Sequence, residues 1–183
     1  MDAYDLLVLG GGTGNVVASE AAERGLDVAL VERDGLGGTC LNRGCNPSKK
    51  LIHRADVVRT VESAADLGVD ARVDGVAYAD IVEDVVSTVE GEAARKAERA
   101  REHERISLYA GEGRFVDERT VAVETDAGES RVTGERVVFA GGSRPTVPES
   151  IDGTDEVSFM TSDEALRRTD RPDRLVVVGG GYI

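Results

Sequence analysis

Residues 6–15, LLVLGGGTGN, decide the fold of this chain. A short apolar run that stops at glycines is typical of a buried parallel strand. A helix is predicted next, ended by Gly25, because small residues recur at helical spacing: Ala18, Ala21 and Ala22. Val28–Val31 predicts a second strand that ends at Glu32. Two parallel strands joined by a helix form half of a nucleotide-binding sheet, so we predict an α/β, Rossmann-like fold.

The glycine turn predicts dinucleotide binding. The pattern Gly10-x-Gly12-x-x-Asn15 lets the chain turn sharply and brings backbone amides close to a pyrophosphate at the positive end of the helix. Asn15 replaces the third glycine of the pattern, with Gly14 beside it, so we expect the helix to lie slightly further from the strand. Glu32 stands where an acid accepts a hydrogen bond from a ribose hydroxyl. The alternative is a glycine-rich turn without a ligand.

Both cysteines of the chain, Cys40 and Cys45, lie in the stretch GGTCLNRGCNPSK, residues 37–49. In a regular helix, two residues five apart lie about 7.5 Å apart along the axis and about 140° apart around it. A disulfide needs Cα atoms within about 4.4–6.8 Å. We therefore expect a departure from regular helix, since Gly44 supplies freedom and Pro47 removes an amide donor. A disulfide in such a loop is easier to reduce than a buried structural one.

A zinc site and two unpaired core thiols are the alternatives for the cysteines. Zinc needs about four ligands, and only His53 and His103 could add nitrogen, so we expect no metal. Core thiols fit poorly with the polar residues around the pair.

The middle of the chain predicts two helices. The first follows the cysteine stretch and has an apolar side formed by Leu51, Ile52, Ala55, Val58 and Val61. The second runs from about Tyr78 to Glu104 and carries a charged face typical of solvent exposure: Glu92, Arg95, Lys96 and Arg99.

Strands follow the helices. A period of two predicts a small antiparallel meander, with Gly128 at a turn, through Ile106–Leu108, Val121–Val123 and Val132. Val137–Ala140 predicts a further buried strand. The last part of the chain is predicted to hold a linker marked by Pro145 and Pro148, a capping box of Thr161 and Glu164, and a repeat of the opening strand and glycine turn at Leu175–Gly181.

The stretch GGTCLNRGCNPSK resembles the redox-active segment of the pyridine-nucleotide disulfide oxidoreductases, a family that includes dihydrolipoamide dehydrogenase, glutathione reductase, mycothione reductase and mercuric reductase. Further motifs follow in the family's order: the glycine turn, Glu32, Gly111–Phe115, Ala140–Pro145 and the second glycine turn. The resemblance implies that residues 1–148 are the first part of an FAD-binding domain, with a parallel sheet, a helical excursion and a β-meander. Residues 149–173 would form a linker with a short helix, and 174–183 the first strand and glycine turn of a truncated NAD(P)-binding domain.

The resemblance implies catalytic roles for three residues. Cys40 would be the interchange thiol that meets the substrate disulfide, and Cys45 would be the thiolate that forms a charge-transfer pair with the flavin. Lys49 would lie near the reactive edge of the flavin and help supply the electropositive setting that lowers a thiol pKa; Lys50 is the weaker candidate. The implied FAD-binding residues are Gly10, Gly12, Gly14, Asn15, Glu32, Arg33, Gly38, Thr39, Lys49, Gly113, Gly142 and Ser143.

The implied activity is an FAD-dependent transfer of electrons between NAD(P)H and a dithiol or disulfide substrate through Cys40 and Cys45. Dihydrolipoamide dehydrogenase is the leading candidate because the Cys-to-Lys spacing and the Pro-Ser-Lys run resemble it most. Reductases of low-molecular-weight disulfides, of the mycothione or glutathione type, and mercuric reductases are alternatives. A non-catalytic remnant or redox sensor, and a plain nicotinamide dehydrogenase domain, are alternatives of another class.

The sequence departs from the family pattern at three positions. Asn15 replaces a glycine, as in the mycothione reductases; Asn46 occupies a usually apolar position; and Arg43 replaces the common Val and faces an unknown partner. The segments that carry the catalytic base and the interface of the family's homodimer would lie beyond Ile183, so we expect this fragment alone to be inactive.

Composition excludes some classes of partner. The net charge of −13 argues against nucleic acid, which needs a surplus of basic residues. No apolar run approaches the roughly 18–20 residues of a membrane span, and the first residues do not resemble a secretory leader, so we expect a cytoplasmic location. Lys occurs only at positions 49, 50 and 96, and this acidic, lysine-poor composition predicts a salt-loving source.

Overall fold

The strand–turn–helix–strand unit at the start of the chain forms as the sequence predicts. The structure is a computed structural model that describes residues 2–125, 128–147 and 150–181. Strand β1 (Asp2–Leu9) leads through the glycine turn into helix α1 (Thr13–Glu23), which returns to strand β2 (Val28–Glu32). The two strands are parallel, with Leu6 opposite Val28 and Leu9 opposite Val31.

Two helices carry the cysteine stretch, a third long helix follows, and four strands come after it. The helices are α2 (Gly38–Arg43), α3 (Cys45–Glu62), a short 3-10 helix (Ala64–Leu67) and α4 (Tyr78–Glu102). The remaining elements are β3 (Ile106–Ala110), β4 (Glu112–Asp117), β5 (Thr120–Thr125), β6 (Gly128–Phe139) and α5 (Ser162–Arg167). Helix α4 confirms the long charged helix of the sequence analysis, although it ends at Glu102 rather than Glu104.

The strands form one sheet in the order β3-β2-β1-β6-β5-β4. The prediction that Ile106–Leu108 opens the antiparallel meander is wrong, because β3 pairs in parallel with β2 and places Ile106 opposite Val28. Alternating polarity indicates a strand with one covered face but does not indicate the direction of its neighbour. The direction follows from α4, which acts as a crossover and returns the chain parallel to β2.

The strand β6 joins two segments that the sequence analysis treated as separate. Val132 lies opposite Val121 in an antiparallel pair, and Val137 lies opposite Leu7 in a parallel pair, on the same continuous strand. The residues between them, 133–136, are largely polar and interrupt the apolar pattern, although their backbone continues to pair with β1. Gly128, predicted at a turn, begins β6.

The core lies on both faces of the parallel strands. On one face, the side chains of β1 and β2 pack against α1, α4 and Leu36; the strand residues are Leu6, Val8, Val28 and Leu30. On the other face, they pack against the meander in a cluster of Leu7, Leu9, Ala29, Val31, Val121, Val123 and Val132. Burial on both faces explains why the two opening strands are continuous apolar runs.

Helix α3 forms as predicted, but its apolar side is not buried. Only Pro47 of this helix is buried, Leu51 is half-buried, and Ile52 is 50% exposed. The neighbouring helices α2 and α4 contact α3 and leave Val58 and Val61 half-buried as well, whereas Ala55 is exposed. The spacing of those residues therefore predicted the helix correctly.

The final part of the chain holds a short helix and no further strand among residues 150–181. The capping box of Thr161 and Glu164 opens α5 as predicted. The predicted strand at Leu175–Val178 is wrong for this structure: the segment is not a strand, and its four side chains are 63–86% exposed. A strand exists only when it hydrogen-bonds to a neighbour, and this segment lies on neither edge of the sheet. Pro148, Tyr182 and Ile183 lie outside the described residues.

No helix within the described ranges has an apolar stretch long enough to cross a bilayer.

Candidate active site

The glycine turn between β1 and α1 packs closely against its surroundings. Gly10 has φ +103°, and a Cβ there would lie 2.1 Å from the carbonyl oxygen of Ala140. A Cβ on Gly14 would lie 2.8 Å from Val8 Cγ1, so Gly14 lets α1 approach β1. The close contact depends on residue 14, and the expectation that Asn15 moves the helix slightly away from the strand stays a prediction. Asn15 is half-buried on α1.

Glu32 at the end of β2 faces the glycine turn. Its Oε2 accepts a hydrogen bond of 2.5 Å from the Gly11 amide, and its Oε1 accepts one of 2.7 Å from the Asp34 amide. The first turn of α1 contains no acidic side chain, and its N-cap residue, Gly12, makes no side-chain cap. The positive end of α1 therefore has no anionic side chain of its own in that turn, which is what a site for a bound pyrophosphate requires.

A cleft opens at the carboxyl ends of the central strands. Its lining includes Gly10, Glu32 and Arg33 from the first unit and Gly113 from β4. Gly113 lies close to β2, because a Cβ there would be 3.0 Å from Val31 Cγ1. Ligands of open α/β sheets bind outside the carboxyl ends of the strands, so this cleft can hold part of a dinucleotide.

The other predicted residues of the second contact strand lie after the end of β6. Gly142, with φ +69°, and Ser143 are both exposed. They are not among the residues that line the cleft, whereas the neighbouring Gly141 and Arg144 are.

The cysteines lie on two helices separated by one glycine. Cys40 is in the middle of α2, Cys45 is the first residue of α3, and Gly44 breaks the helix between them. A Cβ on Gly44 would lie 2.8 Å from the Thr39 carbonyl oxygen, so the close approach of the two helices requires glycine. The expected departure from regular helix is confirmed.

The two thiols are free and exposed in this structure, and they interact. A hydrogen bond with Cys45 raises the pKa of the Cys40 thiol, and desolvation and the charge of Cys45 raise it further, while a backbone hydrogen bond from Cys45 acts in the opposite direction. The net effect raises the pKa of Cys40, so the neighbouring Cys45 disfavours ionisation of the Cys40 thiol.

The cysteine stretch is joined directly to the glycine turn. The Gly37 amide donates a 2.8 Å hydrogen bond to the Gly11 carbonyl. A Cβ on Gly38 would lie 2.6 Å from Gly12 Cα, so the backbones meet at this point. The structure thus brings two predicted cofactor-binding residues, Gly12 and Gly38, into contact. Thr39, the residue before Cys40, is exposed.

The lysines and histidines have different surroundings. Lys49 is exposed on the first turns of α3, whereas Lys50 pairs with Glu92 of α4 at 3.7 Å. His53 is exposed, and Nδ1 of His103 accepts a hydrogen bond of 3.2 Å from the Arg105 amide. In the described part of the chain, no group of three or more His, Cys, Asp or Glu side chains could hold a metal ion.

Sequence reasoning missed Asp34, which contacts three arginines. Its carboxylate lies 2.7 Å from Arg43, 2.6 Å from Arg144 and 3.1 Å from Arg33. The hydrogen bond from Arg43 lowers the pKa of Asp34, desolvation opposes this effect, and Arg33 lowers it further. Arg43 and Arg144 are 9 and 110 residues from Asp34 in sequence, so no local pattern could have paired them.

Asn42 was also missed. Its side-chain amide donates a 3.0 Å hydrogen bond to the Gly38 carbonyl and longer ones to Gly35 and Leu36. It therefore holds the loop before α2 against the helix that carries Cys40.

Comparison with known proteins agrees with this geometry. The family described as pyridine nucleotide-disulphide oxidoreductase matches residues 4–183. The chain is 36% identical to a mycothione reductase of Mycobacterium tuberculosis, covering 100% of this chain and 40% of that protein. It is also 36% identical to a dihydrolipoyl dehydrogenase of Bacillus subtilis, covering 98% of this chain and 40% of that protein. The chain thus spans about 40% of the length of the curated relatives it matches.

Among solved structures, the HOCl-induced flavoprotein disulfide reductase RclA from Escherichia coli matches with a TM-score of 0.72 and 21% identity, covering 91% of this chain and 34% of that protein. Identity at this level supports the fold alone. The similarity is consistent with the sheet order and with the parallel pairing of the central strands.

Proposed function

Because the chain belongs to the pyridine nucleotide-disulphide oxidoreductase family, we propose that it is the FAD-binding and dithiol-bearing part of an enzyme that exchanges electrons between NAD(P)H and a disulfide or dithiol substrate. The observation that carries the proposal is the contact between the cysteine helices and the glycine turn, through Gly37 and Gly11 at 2.8 Å. A redox pair beside a dinucleotide turn is the arrangement that such an electron transfer needs.

The family is FAD-dependent with NAD(P)H as electron donor, and the residues of this chain fit that group. The turn has a glycine whose Cβ would collide with Ala140, a helix start without acidic side chains, and an acid at the end of β2. In the proposal, Gly10 to Asn15 hold the pyrophosphate, and the Glu32 carboxylate accepts a hydrogen bond from a ribose hydroxyl. Arg33, Gly38, Thr39, Gly113, Gly142 and Ser143 contribute further contacts. When bound, FAD supplies a two-electron carrier between the nicotinamide and the cysteines.

Cys40 and Cys45 would carry out the thiol chemistry. A Cys40 thiolate attacks one sulfur of the substrate disulfide, forming a mixed disulfide and releasing one substrate thiolate. Cys45 then attacks the Cys40 sulfur, which releases the second substrate thiolate and leaves a Cys40–Cys45 disulfide. With a disulfide substrate, the substrate gains two electrons and the cysteine pair loses two. With a dithiol such as dihydrolipoamide, the same steps run in reverse, so the substrate loses two electrons and the Cys40–Cys45 disulfide gains them. Lys49, exposed near the start of α3, would add positive charge beside the pair.

Dihydrolipoamide is the substrate we propose first, because the spacing from the cysteines to Lys49 and the Pro-Ser-Lys run resemble the dihydrolipoamide dehydrogenases most. A low-molecular-weight disulfide is the second candidate, favoured by Asn15 in place of the third glycine and by the similarity to a mycothione reductase. Mercuric reduction is a further alternative. The proposed whole protein is a homodimer in the cytoplasm, and residues 174–183 begin its nicotinamide-binding domain.

Two proposals of another class are a passive redox sensor and a plain nicotinamide dehydrogenase domain with incidental cysteines. The sensor would oxidise and reduce Cys40 and Cys45 without turning over a nicotinamide. The dehydrogenase would bind NADH, hold no flavin, and be unaffected by Cys40→Ser.

The test is turnover by the full-length protein with oxidised lipoamide, with glutathione disulfide and mycothione, and with mercuric ion, each with NADH and with NADPH. We expect the highest kcat/KM with oxidised lipoamide and a loss of at least about a hundredfold in Cys40→Ser, because the nucleophile is removed. If the flavin-loaded protein turned over none of the substrates, the proposed enzyme function would be contradicted and the redox-sensor proposal would remain. An unchanged rate in Cys40→Ser would favour the dehydrogenase domain.

A further inference from the structure

The helix that carries Cys40 ends in a side chain that is held from two directions. Arg43, the last residue of α2, lies 2.7 Å from Asp34 through Nη2 and 3.5 Å from Asp163 through Nη1. Asp34 follows the end of β2, and Asp163 belongs to α5. One guanidinium therefore connects the parallel sheet and the linker helix to the residue immediately before Gly44.

The two carboxylates are themselves held in place. The Asp34 carboxylate also accepts hydrogen bonds from Arg33 and Arg144. The Asp34 backbone amide donates a hydrogen bond to the Glu32 carboxylate. Asp163 also lies 3.5 Å from Arg167. Arg43 is thus anchored to groups whose own positions are restrained by other elements.

The linker helix is fastened to the same place by a second arginine. Arg167 lies 2.9 Å from Glu90 of α4, and its Nη2 donates a hydrogen bond of 3.5 Å to the carbonyl of Asn42. The last two residues of α2, Asn42 and Arg43, are therefore both contacted by α5. A movement of α5 would be transmitted to the helix that carries Cys40.

The Arg43 side chain is partly buried. Within the described residues, its Nε is buried without a hydrogen-bond partner, an arrangement that costs free energy. Its side chain is only 24% exposed, in contrast to most arginines on this surface. The terminal nitrogens are held by two carboxylates from two different elements, and these contacts fix the position of the guanidinium from two sides.

We propose that Arg43 is a positioning residue of the cysteine pair: its bridge from Asp34 to Asp163 holds the end of α2 so that Cys40 and Cys45 stay within interaction distance across Gly44. This role rests on the proposed redox function of the pair for its purpose, whereas the measurements below use thiol chemistry alone and need neither flavin nor nicotinamide. Failure of the proposed enzyme function would therefore leave their outcome unchanged.

The first measurement is the equilibrium between dithiol and disulfide for Cys40 and Cys45 in the 183-residue chain, in glutathione redox buffers, with the two forms resolved by mass spectrometry. We expect Arg43→Val to lower the equilibrium constant for disulfide formation roughly five- to tenfold, because a freer α2 brings the two sulfurs together less often. Arg43→Lys keeps the charge but loses the two-ended bridge, so we expect an intermediate value. The matched control is Arg105→Val, which removes another surface ion pair, with Asp27 at 2.9 Å, distant from the cysteines in the fold.

The second measurement separates positioning from a general loosening of the chain. The pH midpoint for alkylation of Cys40 reports the interaction with Cys45 that raises its pKa. We expect this midpoint to fall in Arg43→Val and to stay at the wild-type value in Arg105→Val.

A double variant tests the partner. If Arg43 acts through Asp34, Arg43→Val combined with Asp34→Asn should change the equilibrium no more than Arg43→Val alone. Should Arg43→Val fail to fold by circular dichroism, Asp163→Asn and Asp34→Asn each remove one end of the bridge and must shift the equilibrium in the same direction. Wild-type values for the folded Arg43→Val, or equal shifts in Arg105→Val, would overturn the proposal.

Discussion

At the scale of single residues, Glu32 connects the glycine turn to the loop after β2. Its two oxygens accept the Gly11 and Asp34 amides, so the carboxylate is already oriented before any ligand binds. Orientation by fixed donors lowers the entropy that binding must remove. This makes Glu32 the residue at which loss of a single group should be most visible in dinucleotide affinity.

We predict that Glu32→Ala weakens FAD binding by roughly ten- to a hundredfold, because hydrogen bonds to a charged group contribute about 1.5–3 kcal/mol. Quenching of flavin fluorescence during titration of the protein measures the change. Glu20→Ala is the control, since Glu20 is an exposed residue of α1 paired only locally with Arg24. Equal FAD affinity in Glu32→Ala and wild type would show that Glu32 does not contribute to FAD binding.

Gly44 sets the distance between the two cysteines. We predict that Gly44→Ala slows formation of the Cys40–Cys45 disulfide at least about tenfold, because a Cβ 2.8 Å from the Thr39 oxygen forces the two helices apart. The rate of thiol loss with oxidised glutathione gives the measurement. Gly75→Ala is the matched control, since a Cβ there meets no atom within 4 Å. A rate equal to that of wild type would show that the close contact at Gly44 does not govern the pair.

At the scale of elements, helix α4 contains a glycine that its geometry does not require. A Cβ on Gly91 would meet only the flexible end of Arg95, at 3.5 Å. We predict that Gly91→Ala raises the free energy of unfolding by about 0.5–1 kcal/mol, because alanine restricts the unfolded chain and favours helix. Urea denaturation followed by circular dichroism measures this, with Gly75→Ala as the non-helical comparison. A loss of stability would indicate a contact of residue 91 that this geometry lacks.

The elements also show what the sequence could and could not predict. The strands β1 and β2, the helix between them and α4 follow from apolar runs, helical spacing and glycine positions, all of which are local. The direction of β3 and the continuity of β6 could not be predicted, because they depend on which strand lies beside them. The strand predicted at Leu175–Val178 lacks a neighbour to pair with, although its own sequence favours it.

The same division applies to the candidate site. The glycine turn, Glu32 and the two cysteines were found from spacing, since each belongs to a short motif. Asp34 was missed because its partners Arg43 and Arg144 come from distant segments. The role of Gly14 was missed because only the structure shows Val8 against it.

At the scale of the whole molecule, the main feature is the excess of negative charge. There are 35 acidic and 22 basic residues, and the ion pairs of the described residues are mostly exposed. Exposed ion pairs contribute about 0–1 kcal/mol each to stability. Screening of these pairs by salt therefore destabilises the protein only slightly. Repulsion across a surface of net charge −13 is screened at the same time.

We therefore predict that the melting temperature rises by several degrees, on the order of 5 °C, between dilute buffer and molar KCl. Differential scanning calorimetry measures the change, and sucrose at equal osmolality controls for solute effects other than screening. Full stability in dilute buffer, with no gain at molar KCl, would contradict the proposal of a salt-loving source.

The measurement that tests the central claim most directly is the absorbance spectrum of the flavin-loaded full-length protein during stepwise reduction. We predict a long-wavelength charge-transfer band in wild type after addition of two electrons, because they reduce the Cys40–Cys45 disulfide and leave a Cys45 thiolate beside an oxidised flavin. The band should be absent in Cys45→Ser. In Cys40→Ser, which has no disulfide to reduce, it should be present before reduction and lost when two electrons reduce the flavin. The same spectrum in wild type and Cys45→Ser, or no band in either, would contradict the claim that Cys40 and Cys45 form a redox pair linked to the flavin.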